Sequence, residues 1–130
     1  MASIFSKIVN REIPAHIVAE TDEFMAFHDV SPLVMGHLLV IPKKEVDYIF
    51  DMDDKSYAGL TLFAKTVAIG LKKAFPCTRV GVAVVGLEVP HVHIHLIPMN
   101  NVSDMNFAKA KLQPTQDELA EAAGKIKAVL

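Results

Sequence analysis

The sequence predicts an α+β fold in which an antiparallel sheet carries helices segregated from its strands. Apolar patterns of period two recur in several short segments, whereas one long segment from Asp53 to Phe75 has helical spacing. The strands bunch before and after that helix rather than alternating with it, which disfavours a wound parallel sheet. At 130 residues the chain fits a single domain, 1–130, with a core of about 3–98 and an extension of about 100–130. A chain of that size buries roughly two thirds of its unfolded surface.

The elements follow in order. Residues 3–9 read as a short helical turn, with Ser3 as its cap and Phe5, Ile8 and Val9 turned inward. His16–Glu20 and Glu23–Asp29 form a hairpin around Thr21 and Asp22. Ser31-Pro32 breaks the chain; Gly36 then precedes a third strand, His37–Ile41, so apolar that both its faces must be covered. In the long helix, Leu60, Phe63, Ala64, Val67 and Leu71 share a face, acidic residues open it, Lys72 and Lys73 close it, and Pro76 stops it. Arg79–Val85 is a valine-rich strand, and Gly86 to Pro90 turn the chain. After a polar stretch around Asn100–Asp104, Thr115 and Glu118 form a capping box for a last helix to about Leu130.

Composition narrows the function. A net charge of −2 offers no bulk attraction to nucleic acid or membrane, and neither partner is expected. The lone cysteine, Cys77, excludes an intramolecular disulfide, suits a reducing compartment and reads as a packing residue. No apolar run matches a membrane span and no signal pattern opens the chain, so a cytoplasmic location is expected.

The chemistry is concentrated in His91-Val92-His93-Ile94-His95-Leu96-Ile97-Pro98. Alternation predicts a strand with the three imidazoles on one face, roughly 6.5–7 Å apart, and Val92, Ile94 and Leu96 buried on the other. Half of the six histidines fall in that stretch, which favours catalytic or phosphate-directed use over structural use. A single metal ion cannot be reached from both ends of such a row, because its bonds to nitrogen are only about 2.0–2.1 Å. Two triad histidines with His37 remain a rival zinc site, not a favoured one, and no cofactor is required.

The run from His91 to Ile97 resembles the His-φ-His-φ-His-φ-φ signature of the histidine-triad (HIT) superfamily, φ being apolar. Ile4-Phe5-Ser6-Lys7-Ile8 with Glu12-Ile13-Pro14-Ala15, Ala26 to Pro32, and His37 to Lys43 match further blocks of its Hint branch in order. The resemblance implies a HIT-like fold, with a five-stranded antiparallel sheet, one main helix and a C-terminal helix, usually as a homodimer. It implies hydrolysis or transfer at the α-phosphorus of a purine nucleoside phosphate derivative: a phosphoramidate, an aminoacyl adenylate or a dinucleoside polyphosphate. His93 would be the nucleophile and form a transient nucleotidyl-histidine. His95 and His37 would hydrogen-bond the phosphate oxygens, and His91 would orient the array. Asp29 corresponds to the ribose-binding acid, with Phe5, Ile8, Phe27 and, more weakly, Leu39 forming the slot for the base. Lys43 and Lys44 are candidates to steer an anion, while His16 and His28 read as structural or solvent-facing. The loop before the triad is shorter than the Hint pattern. Glu88 stands where a hydroxyl residue is usual, as a candidate contact to the leaving group or loop, and Pro90 has no amide to donate. The alternatives are a nucleotide-binding regulatory module with weak or no catalysis, and the histidine metal site.

Overall fold

The computed structural model describes residues 2–130. Five strands, β1 (Ile17–Glu20), β2 (Phe24–His28), β3 (Leu38–Pro42), β4 (Arg79–Ala83) and β5 (Ile94–Met99), form one sheet in the order β1-β2-β3-β5-β4. Every neighbouring pair is antiparallel. The predicted α+β class and five-stranded sheet are therefore observed.

Three helices complete the fold: α1 (Ile4–Val9), α2 (Asp54–Ala74) and α3 (Gln116–Lys127). Their ends are set by local chemistry. The Ser3 hydroxyl accepts from the Ser6 amide, the Asp53 carboxylate from the Ser56 amide, and Thr115 and Glu118 close a reciprocal capping box. Two short 3-10 turns at Ile49–Asp51 and Val102–Met105 lie between the regular elements, the second within the stretch read from sequence as polar.

The two faces of the sheet differ in cover. Helices α2 and α3 pack on one face, where Leu38, Val40, Ile94 and Leu96 meet Leu60, Leu71 and Ile126. On the other face Phe5 and Ile8 of α1 pack on Met25, Phe27, Leu39 and Ile41. All five residues of β3 are buried, as its doubly apolar pattern requires.

The histidine strand begins later than predicted. Pairing starts at Ile94, so His91 and His93 lie on an extended lead-in. The physical reason is that the local backbone bonds elsewhere: the His91 amide donates to the Val89 carbonyl and the Val92 amide to the Val46 carbonyl. The even spacing expected of a flat strand is lost with it. The rings of His93 and His95 sit with centroids 5.0 Å apart. Val92, Ile94 and Leu96 nevertheless enter the helical-face core.

Candidate active site

The three triad histidines and His37 come together on the face that α1 covers in part, beside a cavity of about 490 Å³. His93, His95 and His37 line it; His91 is fully buried behind them. Hydrogen-bond partners fix the proton on each ring. The Leu33 amide donates to His37 Nδ1 at 3.0 Å, so neutral His37 carries its proton on Nε2 and donates to His95 Nδ1 at 2.9 Å. His95 must then hold its own proton on Nε2. His91 Nε2 donates to the Pro42 carbonyl at 2.7 Å, and its Nδ1 accepts from the Ser3 hydroxyl at 2.7 Å. His93 Nδ1 donates to the His91 carbonyl at 2.7 Å, which leaves the lone pair of a neutral ring on Nε2.

Among the described residues, His93 Nε2 and His95 Nε2 have no protein partner, and no buried side-chain nitrogen or oxygen is unpaired. Both atoms therefore face the open cleft. One offers a lone pair and the other a proton.

Burial sets the charge of the array. Desolvation pushes His37 down to about 3 and His95 down to about 4, helped by neighbouring positive charges, and it lowers His91 as well. Burial also raises the Asp29 carboxyl, whose Oδ1 accepts from the Ser31 amide at 2.9 Å. The 3.7 Å approach of Asp29 Oδ2 to His37 Nε2 is thus no ion pair, since His37 is neutral and its proton points at His95. On the far side of His91, Glu45 accepts from the Ser3 amide and the Ser6 hydroxyl, contacts that hold its carboxyl down to about 2.

Asp29, His37 and His95 place one ligand atom each within 4.8 Å of one another, which is the spacing of a small cation site. The donor set does not fit an ion. With Leu33 N–H aimed at Nδ1, His37 Nε2 is protonated and presents no lone pair, and the tautomer that would present one sets two N–H groups against each other.

The other sequence candidates divide. Phe5 and Leu39 line the cavity, joined by Ile4 and by Glu88 on the exposed 86–90 loop. Ile8 and Phe27 do not line it. They are buried in the core beneath, where the Phe27 ring meets Phe5 edge-on at 5.6 Å between centroids. His28 is fully buried, accepting from the Gly36 amide and donating to the Asp29 carbonyl, so it shapes the loop that carries Asp29. Gly36 itself has φ +93°, and a Cβ there would meet Phe75 and Pro98 at 3.0 Å. His16 bonds Gln116 at the surface. Lys43 and Lys44 line a different recess beside Asp51 and Asp53, and Lys43 pairs with Glu20 at 2.7 Å. Among the lining residues that the sequence reading did not single out are Phe107 and Lys111 of the C-terminal extension. A lone aromatic followed by two lysines in 106–111 was the available signal.

Sheet, histidine array and acid-flanked cleft together define a small α+β protein of the histidine-triad class. The HIT domain model matches residues 10–102, and the chain belongs to the HIT family. Adenosine 5′-monophosphoramidase hnt1 of Schizosaccharomyces pombe is 38% identical over 103 residues, covering 78% of this chain and 77% of its own. An uncharacterised HIT-like protein of Borreliella burgdorferi is 37% identical over 102 residues, 73% of each chain. Among solved structures, a Hit-like protein involved in cell-cycle regulation from Bartonella henselae superposes with a TM-score of 0.87. It is 32% identical, and the match covers 98% of this chain and 96% of that one.

Proposed function

We propose that this protein is a metal-independent nucleotidyl hydrolase or transferase acting at the α-phosphorus of a purine nucleoside phosphate derivative. The observation that carries this reading is the proton order at His93. Its Nδ1 proton is held by the His91 carbonyl, so the Nε2 lone pair is aimed at the cleft beside the His95 Nε2 proton. In the first step the Nε2 lone pair forms a bond to phosphorus and the bond to the leaving group breaks; the leaving group takes up a proton as it departs. Water then attacks phosphorus and gives up a proton, and the nitrogen–phosphorus bond returns its electron pair to His93. His95 donates to a non-bridging oxygen as charge redistributes, and His37 acts through His95 by fixing its tautomer. Asp29 accepts from ribose hydroxyls, and the base rests against Phe5, Ile4 and Leu39. The S. pombe relative, named for cleaving adenosine 5′-monophosphoramidate, supports that substrate class, with aminoacyl adenylates and dinucleoside polyphosphates sharing the same nucleotide half.

The test is turnover of adenosine 5′-phosphoramidate by metal-stripped protein beside His93→Asn. Release of adenosine monophosphate by the wild type alone supports the reading. Absence of turnover with the nucleotide still bound replaces it with a binding module.

We also propose a homodimer formed along β4. This strand ends the sheet, and Val82 is 64% exposed on it while α2 presents Leu62 and Ile69. Sedimentation equilibrium giving twice the monomer mass, with Val82→Lys reducing it, supports that arrangement; a monomer throughout overturns it.

A further inference from the structure

Residues 106–115 form a strap that leaves the histidine face and leads into α3 on the helical face. Phe107 meets the His95 ring edge-on with centroids 4.8 Å apart, and the Leu112 amide donates to the Pro32 carbonyl at 2.9 Å. Between these two anchors Lys111 lines the cleft. It is the only lysine or arginine among the described lining residues, and it forms no ion pair with them. Its charge reaches Asp29, His37 and His95.

The remaining wall offers an anion little. His37 and His95 are neutral, and Asp29 and Glu88 are carboxyl groups. The loop Gly86-Leu87-Glu88-Val89-Pro90 has no hydroxyl or amide side chain and ends on a residue without a backbone N–H. A phosphate entering this cleft without Lys111 would find the neutral His95 Nε2–H donor and carboxyl groups but no fixed positive charge.

We propose that Lys111 is the phosphate-binding cation of the cleft, supplied by the strap to the reacting phosphate of a nucleoside 5′-phosphate. The proposal rests on the nucleotide reading above and adds to it a residue outside the region matched to the family model. It also assigns the extension a role in ligand choice: the strap selects for a charged phosphate, whereas the apolar slot selects for the nucleoside.

The experiment measures binding of adenosine 5′-monophosphate and of uncharged adenosine by calorimetry to the full chain and to K111M, K111R and K109M. Lys109 lies on the same strap but does not line the cleft. In K111M the monophosphate should bind roughly ten- to a hundredfold more weakly, as for a lost charge-assisted contact, with adenosine within about twofold of wild type. K111R should recover most of the loss, and K109M should match wild type. Added salt should weaken monophosphate binding in wild type and much less in K111M. Unchanged monophosphate affinity in K111M overturns this proposal alone, as does equal weakening of both ligands or an equal effect of K109M. A wild type that binds neither ligand overturns the nucleotide reading and this proposal with it.

Discussion

Alternate residues of one short run, Val92, Ile94 and Leu96 against His91, His93 and His95, are buried almost equally, yet burial means something different on each side. Leu96 is 1% exposed and His91 0%. On the helical face, burial is satisfied by area and volume, since any well-packed apolar side chain of the right size removes the same surface from water. On the histidine face every ring nitrogen turned into the protein needs a partner of the right sign, because an unpaired buried polar atom costs roughly 1–3 kcal/mol, and only His93 Nε2 and His95 Nε2 are left to the cleft. One face therefore encodes stability through shape, and the other encodes chemistry through donor and acceptor order.

Substitutions on the two faces should accordingly separate activity from stability. The largest effect is expected for His93→Asn, with turnover of a nucleoside phosphoramidate falling by about three orders of magnitude or more while the circular dichroism spectrum is kept. A comparable residual rate in the variant would remove His93 from the chemistry. Leu60→Ala, fully buried on α2 against the opposite face, should cost about 2–5 kcal/mol in urea unfolding and leave turnover per folded molecule unchanged. A loss of turnover without a loss of stability would mean the two faces are not separable.

Acid widens the contrast. His37 and His95 titrate lower in the folded protein than in the unfolded chain, so the unfolded state binds more protons below the ordinary histidine value of 6.5. The contribution of these two rings is complete above pH 6.5 and declines as pH falls toward about 4 and then about 3. The expected loss is on the order of a few kcal/mol, since each tenfold difference in proton affinity between the two states is worth about 1.4 kcal/mol. His37→Asn should flatten that slope in urea titrations at pH 7 and pH 4.5, and an unchanged slope would place the titration elsewhere. The smallest effect belongs to Glu45→Gln. Its carboxylate is exposed and reaches His91 only through Ser3 and Ser6, so turnover should drop by about threefold or less.

The fold was legible because its signals are local. Period-two runs marked β2 and β3 to within a residue, and Asp53 and Thr115 marked the starts of α2 and α3. The beginning of β5 was not, because alternation cannot tell a strand from an extended lead-in whose amides bond to Val46 and Val89. The identity of the clustered histidines was also legible, since three in a row at period two is a local pattern. Their proton order was not, because it depends on Ser3 and Pro42, distant in sequence from His91, and on a Leu33 amide that only the folded loop turns onto His37. Ile8 and Phe27 could not be told from Phe5 by sequence, as all three are apolar and buried while only Phe5 reaches the cleft. Lys111 was missed for the opposite reason: a strap without regular structure, held by Phe107 on His95 and by one amide at Pro32, leaves no periodic trace to place it at the cleft.

The fixed tautomers give the array a direction. From the Leu33 amide through His37 to His95, each donor points toward the cleft, and the branch through Ser3 and His91 ends on the Pro42 carbonyl. Reversing either branch would set the Leu33 amide against a ring N–H or leave Pro42 without its donor. In the proposed reaction, protons consumed or released at phosphorus would therefore be exchanged with substrate or water at the mouth. The row of histidines holds protons in place; it does not conduct them.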